Sequence, residues 1–144
     1  MELENGLNLG NNFVINGKEL TEFNIANYKC FGLLFGASWC PPSKTFNFIL
    51  NDFYNHVNKT EKIFEVLYIS SDRDEQSFND FCQIMPWVAI SFEEGTVRGQ
   101  LKRKFDIKYI PRLVIIKPDG TVLRENAVDD VIKGSEAFSD WFSE

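Results

Sequence analysis

An apolar run from Phe31 to Phe35 leads through Gly36-Ala37-Ser38 into Trp39-Cys40-Pro41-Pro42-Ser43, and the residues beyond it repeat with helical spacing. This junction of a buried strand with a helix constrains the fold more than any other stretch of the chain. Proline fits the first turn of a helix, where its missing N–H has no carbonyl to reach, so the helix is expected to begin at Cys40 or Pro41. A cysteine at that point lies among unpaired backbone N–H groups at the positive end of the helix dipole, and both favour the thiolate. Cys40 is therefore the candidate nucleophile, with a pKa expected below the roughly 8.5 of free cysteine. The two prolines leave the Ser43 amide and hydroxyl as the nearest groups able to support the sulfur. Ser43 also stands one turn on, where a dithiol enzyme would carry a second cysteine to attack a mixed disulfide on the first. A serine cannot take that step.

The rest of the chain supplies a frame for the junction. Met1 to Asn12 has no hydrophobic period and is expected to be a loose leader to a single domain spanning residues 1–144. Phe13 to Leu20 predicts a hairpin, because Asn16-Gly17 provides the two positive-φ positions of a type I′ turn. Cys30 to Gly36 predicts a strand covered on both faces, and Pro41 to about Asn58 a helix with Phe46, Ile49, Leu50, Phe53 and Val57 inward. Ile63 to Ser70 predicts a second buried strand, parallel to the first through a right-handed crossover. Asp72 to Met85 predicts a helix that Pro86 stops, Val88 to Phe92 a short strand, and Thr96 to Phe105 a helix whose Arg98, Lys102, Arg103 and Lys104 face water. Leu113 to Ile116 and Thr121 to Leu123 form a hairpin about Lys117-Pro118-Asp119-Gly120, and Ala137 to Phe142 a closing helix. The fold class is α/β, a mixed central sheet flanked by helices with an amino-terminal β-hairpin extension.

Composition narrows the function. A chain of 144 residues can bury one core unaided, and 44% hydrophobic content with 14 Phe fits a globular domain. The net charge of −6 argues against binding nucleic acid through phosphates. No apolar run approaches the roughly 18 residues of a membrane span. Three cysteines without paired spacing form no disulfide framework, so a reducing, cytoplasmic setting is expected, with a nuclear one also open. Cys30 and Cys82 lie on apolar faces and read as inert core thiols. His56 has no ligand spacing around it, and no metal site is read. Asp72 fits either a helix start or a carboxylate near the sulfur.

The segment F-G-A-S-W-C-P-P-S resembles the active-site stretch of thioredoxin-fold proteins, in particular the W-C-P-P-C of the tryparedoxin and nucleoredoxin group. F-E-V-L-Y-I-S-S-D-R-D-E-Q-S-F (Phe64 to Phe78), M-P-W (Met85 to Trp87) and I-P-R-L-V-I-I-K-P-D-G (Ile110 to Gly120) resemble that group in the same order. The resemblance covers about Phe31 to Leu123. It implies that Cys40 is the attacking cysteine, that Trp39, Pro41 and Pro42 frame it, and that Pro111 is a cis-proline facing it. Ile110 would then offer its backbone to an extended substrate, and Trp87 would line the groove or pack beneath it.

Three departures stand out. Ser43 occupies the resolving position, Arg112 puts a cation after the cis-proline, and Leu34 stands where thioredoxins bury an acid. Arg112 would favour a thiolate or an acidic partner such as glutathione. The implied function is thiol-disulfide exchange, in which Cys40 forms a mixed disulfide with a protein substrate such as a peroxiredoxin-like protein. No bound cofactor is implied; glutathione, trypanothione or a thioredoxin-reductase system would supply electrons, and a monomer is expected. Ser43 is either an engineered replacement that traps the intermediate, towards which the intact motif leans, or part of a natural monothiol route. A non-catalytic module that binds a protein through Trp39, Ile110 and Pro111 is the alternative.

Overall fold

The computed structural model describes residues 1–143. One seven-stranded sheet runs through the molecule in the order β2-β1-β5-β4-β3-β6-β7. The strands are β1 (Phe13–Ile15), β2 (Lys18–Leu20), β3 (Cys30–Gly36), β4 (Phe64–Ser70), β5 (Val88–Ile90), β6 (Arg112–Ile116) and β7 (Val122–Arg124). Strands β3, β4 and β5 are parallel, whereas β1, β2, β6 and β7 pair antiparallel with their neighbours. β3 and β4 lie at the centre with every residue buried, as their near-continuous apolar content requires. Asn16 and Gly17 both take positive φ, 52° and 77°, so the β1–β2 turn has the backbone that its sequence predicts.

Helices cover both faces. α1 (Pro41–Val57), α2 (Glu75–Cys82), α4 (Val128–Lys133) and α5 (Ala137–Asp140) pack on one face, around Phe53, Phe64, Phe78, Trp87 and Trp141. α3 (Gly95–Lys104) covers the other, around Phe31, Phe35, Leu101 and Phe105. α1 turns Ser43, Phe46, Leu50, Phe53 and Tyr54 inward, a stripe at spacings of three and four residues that sets the helix axis along the sheet. Its first turn therefore hangs over the carboxyl end of β3.

Three expectations need correction. Residues 1–12 are not a loose leader: Leu3, Leu7 and Leu9 are buried with α3 and the sheet, and the Asn5 amide bonds the Asp119 carbonyl. A short segment without period can still fill a groove in the core, since burial there depends on the partner surface rather than on local spacing. Leu9→Ala should accordingly lower stability by about 3 kcal/mol, within the usual range for a leucine truncated in a core; the shift in urea midpoint measures it, and an unchanged midpoint would return the segment to a loose leader. The second correction is that α2 starts at Glu75, capped by Asp74, whose carboxylate accepts the Ser77 amide at 2.8 Å; Asp72 lies outside it. Third, Arg98 and Lys102 turn back to donate to the Ser70 carbonyl, at 3.2 and 3.0 Å, instead of facing water.

Candidate active site

The β3–α1 junction places Cys40 at the helix N-cap, with extended backbone (φ −103°, ψ 108°) and proline at the first two helical positions. The residue is 8% exposed, and its sulfur lies 3.8 Å from the Ile110 carbonyl oxygen. The Ile110–Pro111 peptide bond is cis. Cys40, Ile110 and Pro111, about 70 residues apart in sequence, thus meet because β6 lies beside β3 with Phe35 opposite Arg112. Pro41 and Pro42 are exposed beside them.

Three consecutive residues after β4, Ser71, Asp72 and Arg73, hold the active-site loop. The Ser71 amide bonds the Gly36 carbonyl at 2.8 Å, and the Trp39 indole N–H donates to the Ser71 carbonyl at 2.9 Å. The buried Asp72 carboxylate accepts the Ser38 amide at 2.6 Å, the Tyr68 hydroxyl at 2.8 Å and the Ser70 hydroxyl at 2.7 Å. Arg73 lays its guanidinium over the Trp39 ring, 4.9 Å from the centroid. Asp72 is therefore the buried acid near the cysteine loop that Leu34 is not. The S-S-D-R string was visible in the sequence, but its grip on residues 36–39 depends on the parallel pairing of β3 and β4.

Ser43 lies on the buried stripe of α1, 1% exposed, and its hydroxyl has no hydrogen-bond partner among the described residues. It does not support the Cys40 sulfur. It faces Gly36, where an added Cβ would come within 3.2 Å of the Ser43 hydroxyl oxygen. The pocket at position 43 thus offers a polar hydroxyl nothing to bond, whereas a thiol, a weak donor that packs as a small hydrophobe, suits it.

The remaining candidates separate. Trp87 is buried, with its N–H on the Met85 sulfur at 3.2 Å and its ring against Tyr54, so most of it is core. One edge reaches a groove of about 510 Å³ beside Ser38, between α1 and α2, where Phe48 is also exposed; Cys40 does not line this groove. Arg112 does not put a free cation in the substrate groove. It donates to the Glu125 carbonyl at 2.9 Å and pairs with the Glu125 carboxylate, on the sheet face opposite α1. Burial pushes the Cys30 and Cys82 thiols up to about 12, Cys82 with help from Asp72, so neither supplies thiolate near neutral pH. His56 is exposed on α1.

Residues 27–122 match the family model described as thioredoxin-like, two thirds of the chain. The chain belongs to the thioredoxin-like family. It is 46% identical over 112 residues to "Probable nucleoredoxin 3" of Arabidopsis thaliana, a match covering 76% of this chain and 28% of that protein. It is 30% identical over 105 residues to mouse nucleoredoxin, covering 73% of this chain and 24% of that one. The chain thus spans about a quarter of the length of the curated relatives it matches. Among solved structures, tryparedoxin II of Crithidia fasciculata is 31% identical with a TM-score of 0.80, covering 91% of this chain and 87% of that one. Tryparedoxin of Trypanosoma brucei is 30% identical with a TM-score of 0.79, covering 90% of each. The sheet and its helices are those of the thioredoxin fold, and the family is one of oxidoreductases. Among the described residues no helix is long and apolar enough to cross a membrane.

Proposed function

We propose that the protein carries out thiol-disulfide exchange at Cys40. The Cys40 thiolate attacks one sulfur of a substrate disulfide and forms a mixed disulfide, while the other sulfur leaves as a thiolate and takes up a proton. An external thiol then attacks the mixed disulfide, returning Cys40 and carrying the substrate half away as a disulfide. The observation that supports this reading is the Cys40 sulfur at the α1 N-cap, 3.8 Å from the Ile110 carbonyl, with a buried and unpartnered hydroxyl one turn along the helix. The sulfur stands at the mouth of the β3–α1 junction, and the Ile110 backbone offers a docking edge for the substrate chain next to it.

Disulfide-containing proteins are the proposed substrates, and a small thiol the proposed reductant, in the reducing setting of the cytoplasm. One solved tryparedoxin II is described as complexed with glutathionylspermidine, which supports a low-molecular-weight thiol at this kind of site. Ser43 holds the position of a resolving cysteine under either origin set out above, engineered or natural, and both leave release of the intermediate to external thiol. Exposure to an excess of bis(2-hydroxyethyl) disulfide should add one half-disulfide to the native protein, on Cys40 and on neither Cys30 nor Cys82. Intact mass followed by peptide mapping reads it. Adduct on Cys30 or Cys82 in place of Cys40, or none at all, would leave the non-catalytic binding module as the better reading.

A further inference from the structure

We infer that Arg73, stacked on Trp39, is a specificity-determining residue that selects disulfides carrying negative charge beside the scissile bond. The inference rests on the exchange chemistry proposed at Cys40. Trp39 precedes the nucleophile and is 48% exposed, so its ring forms part of the rim that an incoming disulfide crosses. The ring is held in place by its N–H bond to the Ser71 carbonyl, and the loop below it by the Ser38 bond to Asp72. The Arg73 guanidinium lies 4.9 Å from the ring centroid, and among the described residues no carboxylate comes within ion-pair distance of it. Stacking on an indole face fixes a guanidinium without consuming its charge or its hydrogen-bond donors.

The neighbouring charges do not take its place. Arg112 is turned to Glu125 on the far face of the sheet. The Asp72 carboxylate is buried and occupied by three donors, and the Asp74 carboxylate caps α2. Glu75 follows on the first turn of α2, and Lys44 is exposed on the first turn of α1. A cation stacked on the residue that precedes the nucleophile favours a carboxylate-bearing disulfide such as glutathione disulfide, or a disulfide within an acidic peptide, over one bearing ammonium groups. The step remains a two-electron exchange: Cys40 thiolate and the disulfide give the Cys40 mixed disulfide and one substrate thiolate.

The test measures the rate at which Cys40 acquires an adduct from glutathione disulfide (anionic), cystamine (cationic) and bis(2-hydroxyethyl) disulfide (neutral), by acid quench and intact mass. Reversing one charge at this range should lower the ratio of glutathione disulfide to cystamine rates about tenfold in Arg73→Glu, and neutralising it about threefold in Arg73→Gln. Arg112→Gln should leave the ratio unchanged, and added salt should narrow the ratio in the unsubstituted protein. The neutral disulfide reports the general reactivity of the sulfur, so a merely structural effect of Arg73 would slow all three together. An unchanged ratio in Arg73→Glu, or a parallel fall for all three disulfides, overturns the inference and leaves the exchange reading standing. If none of the three forms an adduct on the unsubstituted protein, the exchange reading falls and the inference falls with it.

Discussion

Ser43→Cys, offered one equivalent of a mixed disulfide with no other thiol present, should release both substrate thiols and finish two hydrogens lighter, while the serine form should hold one half as an adduct. The geometry sets the expectation. Residue 43 is the third helical residue after the Cys40 N-cap, one turn away, where α-carbons stand roughly 5–6 Å apart and within the span of a disulfide. It faces Gly36, which carries no side chain to compete for the space. A resolving thiol so placed acts at an effective molarity that can reach about 10⁵ M, against bulk thiol at millimolar levels. Release of the intermediate should therefore accelerate by several orders of magnitude. The reduced variant should also gain about 1 kcal/mol of stability, because a hydroxyl buried without a partner costs about that much or more. Persistence of the adduct in Ser43→Cys would show that position 43 is not a resolving position, and the case for exchange would then rest on external thiol alone.

What the sequence disclosed about this site was what local chemistry determines. Asn16-Gly17 prescribed its turn, the spacing of Phe46, Leu50 and Phe53 prescribed α1, and Pro41-Pro42 prescribed where that helix begins. The same stripe, followed back by three residues, puts Ser43 inside, so its burial was legible although its lack of a partner was not. Features set by distant partners were hidden. Leu3, Leu7 and Leu9 find their burial against α3 and the sheet, which no spacing among them announces. α4 was missed because only six residues long, with Val131 its one buried residue and Ile132 exposed, it has no stripe to read. Arg112 was misjudged for a related reason. Arg112 follows the cis-proline in the chain, but alternation along β6 sends its side chain to the other face, where Glu125 is waiting. The cation that does lie on the loop is Arg73, stacked on Trp39, and no local spacing announces that contact because it joins the end of β4 to the end of β3.

Asp72→Ala should be the most damaging substitution of a polar residue near the site, for stability and for reactivity together. Three donors converge on this carboxylate from three separate places: the Ser38 amide in the loop before Cys40, the Tyr68 hydroxyl in β4, and the Ser70 hydroxyl at the end of that strand. Alanine leaves all three in a site with little access to water. A buried group that loses its partner costs about 1–3 kcal/mol; Tyr68 can fall back on the Gly36 carbonyl at 3.3 Å, so the total should be roughly 3 kcal/mol. The carboxylate also faces cations. Burial lowers the pKa of Arg98 and of Lys102, and Asp72 opposes this for both, so its loss leaves two half-buried charges held by the Ser70 and Phe92 carbonyls and, for Arg98, the Phe92 ring. The effect on chemistry follows from the Ser38 bond, which fixes the backbone two residues before the nucleophile. Without it, the turn that aims the sulfur at the Ile110 edge loses its anchor, and adduct formation on Cys40 should slow by about tenfold or more, since small misplacements of reacting groups are costly. Asp72→Asn keeps an acceptor for the Ser38 amide and should recover much of the rate while recovering less of the stability, because the negative charge is still absent. Urea unfolding and the rate of mixed-disulfide formation, measured on both variants, separate the two contributions. A full rate in Asp72→Ala would show that the loop holds its shape through Trp39 and Ser71 alone, and that Asp72 serves the core rather than the sulfur.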